Sequence, residues 1–439
     1  MNMELDAKSI DDIHRLGLDM YSLISDLYPI CRSITGNGVR KSLNIIQQHI
    51  PLEIHEVPTG TPVFDWTVPK EWNIKDAYIK DKTGKKIVDF QSSNLHVLNY
   101  SIPIHQTMSL SQLKEHLFSM PDQPDWIPYR TSYYQETWGF CLSDRVLQSL
   151  PESDYEVYID SSLESGSLTY GELLLPGQTS DEILLCCHSC HPSLCNDNLS
   201  GIALVTFLAK HLSQQQSLRY SYRFLFIPGT IGSITWLSRN EDRVSFIKHG
   251  LTVSNVGDSG PLAYKKSRHG NADIDRAVIH ILQNLSQDHK VSDFSPYGYD
   301  ERQFCSPGFN LPIGSLTRSQ FGTYPEYHTS ADNLDFVQTS ALVNSFETYV
   351  NVLDVLENNY VYLNTNPKCE PQLGKRGLYS TMGGKQTTSD DRMAMLWTLN
   401  LSDGEHTLLD IAERSQLSFS TIKNAAFTLA NHSLLTIAC

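Results

Sequence analysis

Positive charge is scarce in this 439-residue chain: 34 lysines and arginines stand against 49 aspartates and glutamates, a formal net charge of -15. A surface built to neutralise phosphates needs the opposite balance, which argues against nucleic acid or an anionic membrane as the main partner. Also lacking is any uninterrupted apolar run long enough to span a bilayer, so no transmembrane segment is expected. The opening residues, Met-Asn-Met-Glu-Leu-Asp-Ala-Lys, do not have the basic and apolar pattern of a secretory signal. Nine cysteines make an odd number and crowd around one motif instead of spacing out as a disulfide framework. Together these absences predict a cytoplasmic protein in a reducing compartment.

The length exceeds one ordinary core, so two or three domains are expected. Residues 1–56 are assigned to a helical start, with two helices around the loop Arg32-Ser33-Ile34-Thr35-Gly36-Asn37-Gly38. From 57 to 174 short alternating strands are separated by Pro, Gly, Asn and Asp, the pattern of a β-rich insertion. Within 175–363 apolar strand-like runs alternate with helical patterns at 272–285 and 337–358, which predicts a parallel sheet with covering helices. A polar linker at 364–391 precedes a tail, 392–439, with helices predicted at 393–399, 407–414 and 418–430, a turn at 402–404 and a strand at 434–438. Ser415 to Ser420 reads as a helix-turn-helix connection, and the tail as a winged helix. From Arg392 onward it holds three basic residues against four acidic ones, with only Lys423 on the third helix. A docking or dimerisation module fits that balance better than a DNA reader.

Two stretches carry the chemistry: Cys-Cys-His-Ser-Cys-His-Pro-Ser-Leu-Cys-Asn-Asp-Asn-Leu-Ser-Gly at 186–201, and Tyr-His-Thr-Ser-Ala-Asp-Asn-Leu-Asp at 327–335. The almost wholly apolar run 182–187 predicts a buried strand with His188 at its carboxyl end, where open α/β sheets bind ligands. Asp197 follows in a loop, and Ser200 is the expected N-cap of a helix over 201–212. A strand-end imidazole and a loop carboxylate can converge on one cation, and both suit zinc.

These residues resemble the M28 zinc aminopeptidases, whose metal-bridging Asp lies in an Asp-Asn-x-Ser-Gly motif matched by 197–201. The chain is similar in particular to the DUF4910 branch with a DUF2172 insertion and a C-terminal winged helix. The supporting motifs are Phe64-Asp65-Trp66, Glu71-Trp72, Ile127-Pro128-Tyr129-Arg130-Thr131-Ser132-Tyr133-Tyr134, Trp138-Gly139-Phe140-Cys141 and His191-Pro192. The resemblance implies an α/β fold: an M28-type zinc-peptidase sheet with covering helices, a β-rich inserted domain and the winged helix. By position it implies that His188, Asp197 and Asp258 hold one Zn2+, with His328 the terminal ligand of a second site. Asp258, in Gly257-Asp258-Ser259-Gly260, is either that ligand or a turn residue.

Two departures matter. The family's Glu-Glu pair, general base and metal ligand, falls on Gly229-Thr230, and its His-x-Asp becomes His188-Ser189-Cys190. Glycine cannot carry a proton and threonine is a poor zinc ligand, so one zinc is expected, held by His188, Asp197 and His328 with Asp258 or Glu326 as a further ligand. Cys190 is either an outer partner or a ligand in its own right. Glu301 and Glu326 are the candidate proton carriers, while Arg130, His191, Asp300 and Tyr327 are the candidate substrate contacts. Installing Glu at 229 and 230 should raise zinc occupancy toward two unless another loop already fills that space. The implied activity is hydrolysis of an amide next to a free amino group, on a peptide or aminoacyl conjugate. A single-zinc acyl transferase, cyclase or deacylase, and a non-catalytic binding or scaffold protein, are the alternatives. A homo-oligomer or protein partner would engage through the winged helix.

Overall fold

Mostly apolar, fully buried runs make the centre of the molecule. The structure is a computed structural model that describes residues 10–378 and 389–438; the part of the predicted linker at 379–388 lies outside the described residues. Eight strands form one sheet: β1 (Glu53–Pro58), β2 (Ser167–Leu175), β3 (Glu182–His188), β4 (Ser221–Ile227), β5 (Ile247–Val253), β6 (Leu262–Lys265), β7 (His289–Ser292) and β8 (Ile313–Thr317), in the order β1-β2-β4-β3-β5-β8-β6-β7. Every residue of β3 and β4 is buried. The inner strands β4, β3, β5 and β8 run parallel, whereas β1 and β2 are antiparallel to their neighbours and β6 is antiparallel to β8. Buried parallel strands of this kind read as continuous hydrophobic stretches, which is why 182–187 was legible.

The longer helices are α1 (Ile10–Leu27), α2 (Asn37–Ile46), α3 (Gly201–Ser213), α4 (Ile231–Arg239), α5 (Asp273–Asn284), α6 (Thr339–Asn358), α7 (Ser389–Leu401), α8 (Leu408–Ser415) and α9 (Phe419–Asn431). No helix among the described residues is long and apolar enough to cross a membrane. Ser200 does not cap α3. Its hydroxyl donates backwards to the Asn196 carbonyl at 2.6 Å, and Asn198 Oδ1 accepts from the Gly201 N–H at 3.2 Å instead.

The chain divides into two compact units. The larger holds described residues 10–270 and 290–346, with the metal motifs and the inserted segment. That segment builds its own four-stranded antiparallel sheet from 86–89, 71–80, 154–164 and 104–109. The flanking parts of the predicted 57–174 insertion belong to the central sheet, through the end of β1 and all but the last residue of β2. Trp72 is buried and donates its indole N–H to the Ser101 carbonyl at 2.8 Å.

The smaller unit holds described residues 271–289 and 347–438. Here Val361–Asn364 pairs antiparallel with both Asp403–Thr407 and Leu435–Ile437, and α7, α8 and α9 pack against one another. The sheet of this module therefore takes a strand from ahead of the 392 boundary expected from sequence, and residues 403 and 404 of the expected turn belong to a strand. Four residues straight after a long helix carry too little alternation to be read as a strand. Lys423, the one basic residue of α9, is buried in a 2.6 Å ion pair with Asp354 of α6. Arg276 of α5 pairs with Asp410 and Glu413 of α8, each at 2.6 Å. The third helix of the winged module thus presents no cation for a phosphate backbone.

Candidate metal centre

The parallel strands end on one side of the sheet, and the polar residues after them meet there. His188 closes β3, Gly229 and Thr230 follow β4, Asp258 follows β5, and the 327–335 loop lies beyond β8. Asp197 is the hub. Its Oδ1 lies 2.8 Å from His188 Nε2, its Oδ2 lies 2.9 Å from His328 Nε2, and His191 Nε2 is 3.7 Å from Oδ2. His188, His191 and Asp197 are all buried, with donor atoms within 4.8 Å of one another, and could hold a metal ion. His328 is about one-third exposed, on the open side. Burial pushes the Asp197 carboxyl up, but His191, His188 and His328 outweigh it and hold the group well below the ordinary carboxylate range. Burial drives His191 well below its ordinary value, against the pull of Asp197. The result is an ionised Asp197 carboxylate beside a neutral His191, the protonation state zinc ligands require.

Each donor is held from behind. Asn198 donates to the His188 carbonyl at 3.2 Å and the Val253 carbonyl at 3.0 Å, tying the loop to β3 and β5. Asp332, fully buried, accepts from the N–H groups of Asn196 at 2.6 Å and Asp197 at 2.9 Å, one on each oxygen. Burial lifts Asp332 to about 8, and those amides oppose the lift. Arg32 is buried and donates to the carbonyls of His191 at 2.8 Å, Pro192 at 2.6 Å and Leu27 at 2.6 Å, fixing the turn that carries His191. The Tyr299 ring stacks on His188 at 4.1 Å, and its hydroxyl, which burial keeps protonated, lies 2.8 Å from His191 Nε2. Tyr327 stacks on His328 at 3.9 Å. His328 sits at φ 56°, and its carbonyl accepts from the Tyr129 N–H at 2.7 Å. Ser330 and Ile127 complete this clasp, so the Ile-Pro-Tyr segment of the insertion grips the loop of the terminal histidine. The Asp197–Asn198 and Gly229–Thr230 peptides are both cis.

Not every candidate joins the cluster. His191, expected as a substrate contact, lies among the ligand donors. Asp258 is engaged in the turn: Oδ1 accepts from Gly260 N at 2.6 Å and the Ser319 hydroxyl at 2.7 Å, and Oδ2 from the Asn196 amide at 2.8 Å. Glu301, expected as a proton carrier, is fully buried and bound to Lys265 at 2.5 Å, which leaves it unavailable for that work. Arg130 is exposed and its guanidinium lies over the Phe118 ring at 4.5 Å. Cys190 packs its sulfur 3.5 Å from His191 Nδ1, and burial raises the thiol to about 12, so it neighbours His191 as a neutral group. Glu326 is half-buried, and among the described residues its carboxylate has no hydrogen-bond or ion-pair partner. Asp300 is buried, accepts from the Ser233 hydroxyl at 2.7 Å, and is raised to about 6 by burial.

Asp300 also explains the missing Glu pair. A Cβ added at Gly229 would lie 3.1 Å from Asp300 Oδ2, from His188 Cβ and from Tyr299 Cδ1. The space a longer residue would enter is already filled, and by a carboxylate. Gly229→Glu should therefore lower zinc content and melting temperature instead of raising occupancy toward two, with overpacking alone costing about 1–3 kcal/mol. Metal analysis and thermal unfolding of the variant check this; a second equivalent of zinc at unchanged stability would contradict it.

Known proteins give this geometry a context. The model for a domain of unknown function, DUF4910, matches residues 21–359, and a winged helix-turn-helix model matches 360–437. A Clostridium acetobutylicum protein, provisionally named a polysaccharide biosynthesis protein with aminopeptidase-like domain, is 55% identical over 435 residues, covering 99% of this chain and 100% of its own. A crystal structure from the same organism, provisionally described as a peptidase, matches at TM-score 0.94 and 54% identity over 99% of this chain and 100% of its own. A zinc aminopeptidase from Bacillus subtilis, at 13% identity and TM-score 0.56, shares the fold over 77% of this chain and 94% of its own. The chain belongs to the DUF4910 family, with an aminopeptidase fold of the M28 type followed by a C-terminal winged helix.

Proposed function

We propose that the protein is a zinc-dependent hydrolase that cleaves an amide next to a free amino group of a peptide or aminoacyl conjugate. The observation that carries this reading is the convergence of His188, His191 and His328 on the buried carboxylate of Asp197. Three imidazoles and one carboxylate suit zinc, and His188, His191, Asp197 and His328 are the residues that would hold it. Bound there, zinc supplies Lewis acidity that polarises a carbonyl and acidifies water. Support for the substrate class comes from the M28-type fold and from the aminopeptidase-like name of the 55% identical relative.

The chain's own groups complete the chemistry. Asp300 takes the proton-carrying role in place of the absent Glu, because it lies beside His188 with its carboxyl near neutrality. Glu326, two positions before His328 and with no partner for its carboxylate among the described residues, would receive the substrate ammonium. Tyr327 and Tyr299 stack on the two histidines and keep their rings oriented. The winged helix serves as a docking module, since its third helix turns Lys423 inward.

The test is a panel of aminoacyl amides and aminoacylated amino sugars incubated with zinc-loaded protein, with products identified by mass spectrometry. Hydrolysis of substrates with a free amino group, and not of their N-acetylated forms, is expected. Absence of turnover across the panel by protein that holds zinc would contradict the reading.

A further inference from the structure

Three large aromatic side chains of the inserted segment face solvent: Phe64 is 51% exposed, Trp66 46% and Tyr134 52%. The Trp66 and Tyr134 rings lie 5.4 Å apart, and Phe64 meets the edge of Phe309 at 5.7 Å. Phe64 and Tyr134 sit at φ 57° and 67°. Phe64 opens the two-residue turn between the hairpin strands, where positive φ is the ordinary geometry, and Tyr134 lies in a second turn. Both are turn residues whose rings remain open to solvent.

Their bases lead to the metal centre. Phe64 and Trp66 lie on the short hairpin in which Val63 pairs with Trp66. Val63 is buried in the same cluster as Cys190, the neighbour of His191, and Ile231 at the start of α4. Tyr133, adjacent to Tyr134, has its hydroxyl 3.0 Å from that of Tyr129, whose ring lies 5.1 Å from His191 and 5.0 Å from His328. A continuous aromatic path thus runs from the histidines to the exposed rings.

We propose that Phe64, Trp66 and Tyr134 form a shelf that binds the pyranose ring of an amino-sugar amide presented to the metal centre. This rests on the hydrolase reading for the amide, while the sugar follows from the shelf itself. An aliphatic side chain would select an enclosed apolar pocket, whereas these rings lie open. Around them stand polar groups: Asp65 and Gln135 are exposed, and Lys70 pairs with Glu136 at 2.7 Å. A pyranose offers the matching surface, one C–H face for the rings and hydroxyls at its edge for the rim. A nucleic acid base would also stack, but the acidic chain offers little to its phosphates.

Saturation-transfer NMR on the full chain, with N-acetylglucosamine and N-acetylgalactosamine as probes and leucinamide as comparator, tests the shelf without turnover. Wild type should transfer saturation to the ring protons of at least one sugar. Trp66→Ala and Tyr134→Ala should each weaken that binding about 10-fold at unchanged zinc content, with Trp66→Phe restoring it in part. No transfer to either sugar, equal binding by the alanine variants, or a loss confined to leucinamide would overturn the proposal. Sugar binding without amide hydrolysis would count against the hydrolase reading alone; hydrolysis of aminoacyl amides without sugar binding would count against the shelf alone.

Discussion

Replacing Asp197 with alanine abolishes zinc binding. The carboxylate gathers His188 at 2.8 Å and His328 at 2.9 Å, with His191 at 3.7 Å, so its loss removes one ligand and the group that collects the others. Outer partners of metal ligands are worth about 10- to 100-fold in affinity, and this inner one should exceed about 100-fold. Asp197→Asn is the companion variant, since it keeps the shape and removes the charge that the three histidines stabilise. Chelator competition measures the affinity, and circular dichroism confirms that the fold persists. Zinc retained by both variants at wild-type affinity would show that the metal lies elsewhere.

Replacing Asp300 with asparagine leaves zinc in place and removes most of the rate. A positioned proton carrier contributes typically about 100- to 10,000-fold, and that is the expected fall in kcat/KM. The pH dependence has a definite sign. Burial raises the carboxyl to about 6, so the ionised, proton-accepting form predominates above that pH and is lost as pH falls through it. The wild-type rate should therefore drop on the acid side of about 6, and the variant should lose that limb. A variant as fast as wild type, or one whose acid limb is unchanged, would move the role to another group, with Glu326 next in position.

The fold was legible where local pattern and burial agree. Residues 183–187 are apolar throughout because β3 is covered on both faces, and His188 stands out because it ends that run. The 197–201 loop and His328 stood out by motif, and Asp197 and His328 come together at 2.9 Å. His191 was harder: its entry into the donor set depends on the turn that Arg32 fixes from a segment 159 positions away, and no local spacing encodes that contact. Glu301 and Asp300 are adjacent in sequence yet differently engaged, because Lys265 reaches one and Ser233 the other. Arg130 followed the same logic in reverse, since its backbone neighbours grip the His328 loop while its side chain lies over Phe118. Long-range partners, not residue types, decided these cases.

Anomalous scattering at the zinc edge, from crystals of the full chain grown with added zinc, tests the central claim most directly. The account predicts one zinc peak per chain, at about 2.0–2.2 Å from a carboxylate oxygen of Asp197 and from imidazole nitrogens that include His191. No peak beside Asp197, or a pair of zincs bridged by Asp197 with His191 outside coordination distance of both, would contradict it.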